Sequence, residues 1–495
     1  MPRHTLATLR LGLLAAMAVW GANSALAQPA PSPAELGQQA VQEGRFDEAI
    51  RQFQEALKAN PRDPVLHAWL GSAYLQQGSL PEAEKALKEA LALDPKLAVA
   101  QNNLGNVYFA RGQLDRAEKC YLQATKLDPK SFDAHYNLAN LYQRLGKHEP
   151  SWVYYTRALL INPNDVEAHI AFGLALQRIG EVEKAIREYE LARRLQPGNV
   201  QLLNTLGLLY NRLGRHQEAY DRYTEALKYE PTSVDGHVGA GVSLYHFGKL
   251  DEAAAQFQEA QTLDPENAAA RDNMGLVLVG KGDLQGAESI YQAALGRKHD
   301  DPVTLYNLAS VYLRAGRTDE AIELLRKAIA GDPKLAEAQV NLAVALDQQG
   351  QKDAALAQWE EAARRCPRSA EAHAGLGKAL YERQDYGAAL TSYLRSLELR
   401  EDNPQAHNGA GLVYLTRDNL PSASHHFRAA VQQEPTFAEA LNNLGVALER
   451  EGKRAEALQQ YQKALEADAE CQPARENLQR LQTPAPPPPA GTATG

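Results

Sequence analysis

The chain has 495 residues and a formal charge of −9, with 44% hydrophobic, 23% charged and 7% aromatic residues. That composition fits an ordered helical protein better than a disordered or strand-rich one. Its acidic balance argues against nucleic-acid binding, because affinity for phosphate backbones comes mainly from Lys and Arg.

The N-terminal stretch differs from the rest. Arg3 and Arg10 form a basic region, Leu11 to Ala22 an apolar run, and Ala25-Leu26-Ala27 a small-residue cleavage site. This predicts a secretory signal peptide over 1–27, cleaved after Ala27. The apolar run is shorter than the roughly 20 residues that span a bilayer, so no transmembrane span is expected after cleavage; an uncleaved anchor is the competing reading. Loss of Arg3 and Arg10 would take the formal charge from −9 to −11. The product is expected outside the cytoplasm, in the periplasm or secreted if the source is bacterial. Residues 28–33 form a short extended leader.

From residue 30 to 471 the chain repeats itself. Closing prolines stand at 61, 95, 129, 163, 197, 231, 265, 333, 367 and 435, every interval being 34 residues or a multiple of it. The proline lapses at His299, Glu401 and Ala469, where the register nevertheless survives; Pro302 and Pro404 open the next helix at two of these places, where a missing N–H costs nothing. With Ala98 as position 1 of the third unit, position 8 is Gly or Ala throughout, position 20 is Ala except for Ser151, and position 27 is Ala except for Ser396. Position 24 is large, as in Phe53, Tyr121, Tyr155 and Trp359. Positions 4, 7, 8 and 11 form one helical stripe and 20, 24 and 27 another, so each unit is two amphipathic helices. Between them position 15 is glycine in all units but two; Gln384 and Asp418 stand there instead, which predicts altered turns.

A 34-residue helix-turn-helix unit with this pattern resembles the tetratricopeptide repeat (TPR) family. The resemblance implies an all-α solenoid, a right-handed superhelix of thirteen repeats whose inner wall is lined by the first helices. Gln472 to Gln482 then reads as a capping helix. Residues 483–495 form a proline-rich tail without the means to bury apolar area.

Position 6 carries Asn103, Asn137, Asn273, Asn307, Asn341 and Asn443. Amides offer a donor and an acceptor on a short stem, which suits the main chain of an extended peptide. This row resembles the asparagine ladder in the TPR superhelix of O-linked N-acetylglucosamine transferase, although nothing remains here for that enzyme's catalytic domain. Bonding to neighbouring helices is the alternative for these amides. Around the row, Asn102, Asn106, Tyr136 and Asn140 make units three and four amide-rich, and Arg144, Arg178 and Arg212 repeat at position 13. These residues are the candidate partner-binding set, for a peptide or acidic segment; pairing with helix carboxylates is the other reading of the arginines. The carboxylate clamp known in this family is broken, because its basic positions fall on Asn102, Glu167 and Ala171.

Six histidines share position 4 (His67, His135, His169, His237, His373 and His407), one repeat apart and too far to share a metal, so they are expected to pack in the core. Gly275 to Lys281 mimics a phosphate-loop spacing without the Ser or Thr or the preceding strand it needs. Cys120, Cys366 and Cys471 are odd in number and far apart, which predicts buried or partly buried free thiols. No cofactor, metal, small-molecule substrate or catalytic chemistry is expected. The sequence reads as an exported interaction scaffold, an accessory to envelope assembly or secretion, with a substrate-recruiting subunit of a separately encoded enzyme as the alternative. It leaves a homo-oligomer open.

Overall fold

The computed structural model describes residues 31–297 and 300–482. The expected signal segment, residues 28–30 of the leader, His299 and the proline-rich tail lie outside the described residues. Those that are described form 27 α-helices and no strand.

The chain divides into two bodies, meeting in sequence at Leu263 and Asp264. The first holds seven helix pairs: α1 Pro33–Gln42, α2 Phe46–Ala59, α3 Pro64–Gln77, α4 Leu80–Leu93, α5 Ala98–Ala110, α6 Leu114–Leu127, α7 Phe132–Arg144, α8 His148–Ile161, α9 Val166–Arg178, α10 Val182–Leu195, α11 Val200–Arg212, α12 His216–Tyr229, α13 Val234–His246 and α14 Leu250–Leu263. The second holds six pairs and a final helix: α15 Ala268–Gly280, α16 Leu284–Arg297, α17 Pro302–Arg314, α18 Thr318–Gly331, α19 Ala336–Gln348, α20 Lys352–Arg365, α21 Ala370–Glu382, α22 Tyr386–Leu399, α23 Pro404–Thr416, α24 Leu420–Gln433, α25 Ala438–Arg450, α26 Arg454–Ala467 and α27 Gln472–Gln482. Within each body every helix packs against the next. Neighbouring first helices also touch, α3 on α5, α5 on α7 and α7 on α9 in the first body and α17 on α19 through to α25 on α27 in the second.

One unit shows how the sequence enforces this. The ring of Tyr121 on α6 is fully buried against Gly105 on α5, and a β-carbon on Gly105 would lie 2.5 Å from it. The small residue is therefore the space into which the large one fits. The exceptions to the alanine rule are satisfied locally: Ser151 donates to the Ala139 carbonyl at 3.0 Å, and Ser396 to that of Ala370 at 2.8 Å.

Gly112 reverses the chain with φ of 72°. Its N–H bonds to the Phe109 carbonyl at 3.0 Å and that of Gln113 to Tyr108 at 2.8 Å, which caps the end of α5. The altered turns expected at Gln384 and Asp418 do not occur. Both take the same left-handed conformation, φ 64° and 60°, and Gln384 and Asp385 repeat the bonds to Tyr381 and Leu380 at 2.9 and 3.0 Å. Packing of the flanking helices dictates the turn, and the non-glycine residues take up the strain.

The closing segment is held by two bonds besides the proline. Asp128 Oδ1 accepts from the Lys130 N–H at 3.0 Å, an Asx turn repeated at Asp94, Asp332 and Asp468. The position-4 histidine then reaches back six residues: His135 Nε2 meets the Pro129 carbonyl at 3.0 Å, His169 that of Pro163 at 3.0 Å and His237 that of Pro231 at 2.9 Å. Because a carbonyl only accepts, the proton in these pairs sits on Nε2. This explains how the register survives without proline: at Glu401 the bond from His407 persists at 3.2 Å, and at Ala469 the Asx turn of Asp468 persists at 2.9 Å. His135, His169 and His407 are thus buried as expected, with a specific structural bond, while His67, His237 and His373 are half-buried. The thiols follow their expectation too, Cys366 buried and Cys120 and Cys471 half-buried, all free; burial pushes Cys120 up to about 11.

Candidate functional site

The amide cluster of units three and four lies inside the stack of first helices. Asn102, Asn103, Asn106 and Asn137 are at most 2% exposed, and Tyr136 is buried as well. Asn137 Nδ2 on α7 donates to Asn102 Oδ1 on α5 at 3.0 Å, and Asn102 Nδ2 points to Asn103 Oδ1 at 3.4 Å. Asn103 Nδ2 has no hydrogen-bond partner among the described residues. Asn106 Oδ1 accepts from the Tyr121 hydroxyl at 2.7 Å, and Asn140, half-buried, accepts from that of Tyr155. Burial holds both phenols well above their ordinary range.

The second body repeats the clasp. Asn443 Nδ2 donates to Asn408 Oδ1 at 3.0 Å, and Asn477 on α27 to Asn442 Oδ1 at 3.0 Å. The rule is common to all three instances: position 6 of one unit donates to position 5 of the unit before it. The sequence points to the row at position 6 and to Asn102 at position 5, but not to Asn408 or Asn442, nor to the pairing between the two positions. Pairs of asparagines 35 residues apart were the available signal. The bond also shows α27 to be a half-repeat, docked as the first helix of a next unit would be.

The rest of the row behaves differently. Asn341 Nδ2 reaches Ser310 Oγ at 3.4 Å, Asn273 Nδ2 bonds its own helix at the Ala269 carbonyl at 2.8 Å, and Asn307 is half-buried. At Asn137, Asn341 and Asn443 position 6 therefore ties neighbouring first helices, whereas Asn273 bonds within its own helix.

Outward-facing members of the candidate set lie further along, on α9 and α11. Leu174 and Leu208 at position 9 are 41% and 48% exposed. One helical turn on from each stand Arg178 and Arg212, both exposed and without an ion pair among the described residues. Positions i and i+4 share a face, so each helix presents an aliphatic side chain beside a guanidinium. Arg144 differs: its guanidinium lies 4.9 Å from the Phe109 ring centroid. On the opposite side of α9, His169 Nδ1 meets Glu188 at 2.7 Å. Burial, the largest single influence, lowers this histidine, but the bonds to Glu188 and to the Pro163 carbonyl, with the charges of Glu188 and Asp165, together outweigh it and the net shift is upward.

Among the described residues no group of His, Cys, Asp and Glu side chains could hold a metal ion, and no helix is long and apolar enough to cross a membrane.

Comparison with known families places repeat models along the chain. The model for the cilia and flagella-associated protein 70 C-terminal domain matches residues 15–204 and again 173–375. A TPR repeat model matches 377–418 and a tetratricopeptide repeat model 408–470. No curated protein sequence matches. Among solved structures the chain is similar to yeast Tom70, at 17% identity over 81% of this chain and 95% of that one, with a TM-score of 0.45. It is similar to the Cut9–Hcn1 hetero-tetramer of the APC/C, at 17% identity over 83% and 95%, with a TM-score of 0.43. YrrB, described as a TPR protein with an unusual peptide-binding site, is 22% identical over 38% of this chain and 97% of that one, with a TM-score of 0.33.

Proposed function

The chain belongs to the tetratricopeptide repeat family, and on that premise we propose that it is an exported, non-catalytic scaffold that binds an acidic segment of a protein partner along its first helices. The observation that carries the reading is that exposed Leu174 and Leu208 stand beside Arg178 and Arg212, which make no ion pair among the described residues. In a chain with a formal charge of −9, such cations are not needed for general solubility. They add long-range attraction for a carboxylate-bearing ligand, while the leucines offer it apolar area. The amide clasp of Asn137 on Asn102 ties α7 to α5, first helices that precede this wall in the same stack. The expected signal over 1–27 supports action outside the cytoplasm, in assembly or secretion at the cell envelope.

The test is cross-linking pull-down from a cell-envelope fraction, comparing the wild type with Arg178→Glu/Arg212→Glu. The double variant should lose its principal partner while keeping its helical content. Unchanged recovery would remove the wall from the proposal. Recovery of a transferase or protease as the principal partner would redirect it to a recruiting subunit. N-terminal sequencing of the exported protein should begin at Gln28.

A further inference from the structure

The first body carries a second surface that the first-helix wall does not use. Between α8 and α10, floored by α9, lies an open groove of about 390 Å³. Its floor is Phe172 and Leu176, on the side of α9 turned away from Leu174, and Trp152 of α8 forms one wall. The rim includes Leu160, 78% exposed, and Leu191, 39% exposed.

These two leucines depart from the repeat. Leu160 is position 29 of its unit, where every other unit has Lys, Arg, Glu, Gln, Thr, Gly or Ala. Leu191 is position 26 of the next unit, where the others have Glu, Gln, Arg, Lys or Ala. Neither position needs a large apolar side chain for the fold, since the remaining units fold without one. The two exceptions fall in adjacent units and face the same groove. An exposed apolar patch that folding does not require marks an interaction site.

The charges say what kind of partner fits. Lys184 lies over the Trp152 ring, its ammonium 4.3 Å from the centroid, with Glu181 at 3.0 Å. Arg187 is exposed and makes no ion pair among the described residues. The acid on this rim, Glu188, is already engaged by His169 at 2.7 Å. The groove therefore offers an apolar floor beside a rim on which Arg187 is a cation without a carboxylate partner among the described residues. We infer that it is a second docking site, for an acidic segment of another protein that inserts a large apolar side chain between Trp152 and Leu191 and sets a carboxylate on Arg187.

The experiment selects a displayed library of random dodecapeptides on the purified full chain. Enriched sequences are then titrated as fluorescein-labelled peptides by anisotropy against the wild type, Leu160→Lys/Leu191→Glu, Arg187→Glu and the wall variant Arg178→Glu/Arg212→Glu. The leucine variant installs residues that sibling repeats already carry at those positions, so it should fold, as circular dichroism will show. A class of enriched peptides should pair Asp or Glu with Phe, Trp or Leu. Its affinity should fall at least tenfold in the leucine variant and at least threefold in Arg187→Glu, and stay the same in the wall variant. The inference is overturned if no such class is enriched, or if its binding is lost only in the wall variant. It is equally overturned if sedimentation shows the wild type self-associating and the leucine variant monomeric, which would assign the groove to a second copy of this chain.

Discussion

Replacing Asn137 by alanine separates a structural amide from a ligand-contacting one. The side chain is fully buried and gives its Nδ2 proton to Asn102 Oδ1 at 3.0 Å across the α5–α7 contact. Removing it forfeits a buried hydrogen bond worth about 1 kcal/mol and leaves an acceptor desolvated, a cost of about 1–3 kcal/mol. Alanine recovers part of this through its higher helix propensity, about 0.5 kcal/mol. The expected net loss is about 2 kcal/mol, or roughly thirtyfold in a local opening equilibrium. Because solenoid stability is nearly a sum of unit and interface terms, the loss should be local. Amide hydrogen exchange on the full chain should show faster exchange in α5 and α7 and little change in α1 or α13. Asn443→Ala repeats the test in the second body, where Asn408 Oδ1 is the acceptor at 3.0 Å and α23 and α25 should respond. Asn273→Ala is the control, since its amide bonds only its own helix at the Ala269 carbonyl; its effect should stay within about 0.5 kcal/mol. If Asn137→Ala leaves exchange in α5 and α7 unchanged and yet weakens partner capture, the clasp is not structural and the reasoning fails.

Gly105→Ala should destabilise by about 1–3 kcal/mol, because the new methyl group meets the Tyr121 ring at 2.5 Å; Gly105→Ala/Tyr121→Leu should recover part of the loss in urea denaturation. Gln384→Gly should stabilise by about 0.5–1 kcal/mol, the relief of a left-handed residue less the added unfolded-chain entropy; a midpoint equal to or below wild type would show the turn to be unstrained. His426 should make α23 and α24 acid-sensitive. Burial first, then the neighbouring His407 and His425, depress it to about 4, and its Nδ1 lies 3.0 Å from that of His407. A group whose folded value lies below its unfolded value of about 6.5 contributes stability that is full above that pH and is lost as the pH falls towards 4. The exchange protection of these helices, relative to the intrinsic rate at each pH, should therefore fall as the pH drops from about 6.5 towards about 4, and His426→Gln should flatten the change.

The repeat was legible because its determinants are local and recur. Spacing of 34, small residues opposite large ones, and punctuation by glycine and proline each fix a contact within one unit or with the next, so thirteen copies report the same physics. The chain could also be read for its cap, since α27 keeps the stripe that a next first helix would show. What could not be read was the direction of side chains whose chemistry suits both a ligand and a neighbour. Asn103 and Asn137 read in sequence as a peptide-holding row, and the approach of α7 to α5 instead sets Asn137 on Asn102 as a clasp, a matter of a few ångströms between helices that no spacing in one dimension encodes. Turn geometry at Gln384 and Asp418 was misjudged for a related reason: local preference disfavours φ near 60°, and the packing of α21 on α22 and α23 on α24 imposes it. The groove over α9 was visible in sequence only as two leucines out of pattern. It took the juxtaposition of α8 and α10 to put Leu160 and Leu191 on one opening, because adjacency across a stack is set by the packing of whole helices and not by any residue's own preference.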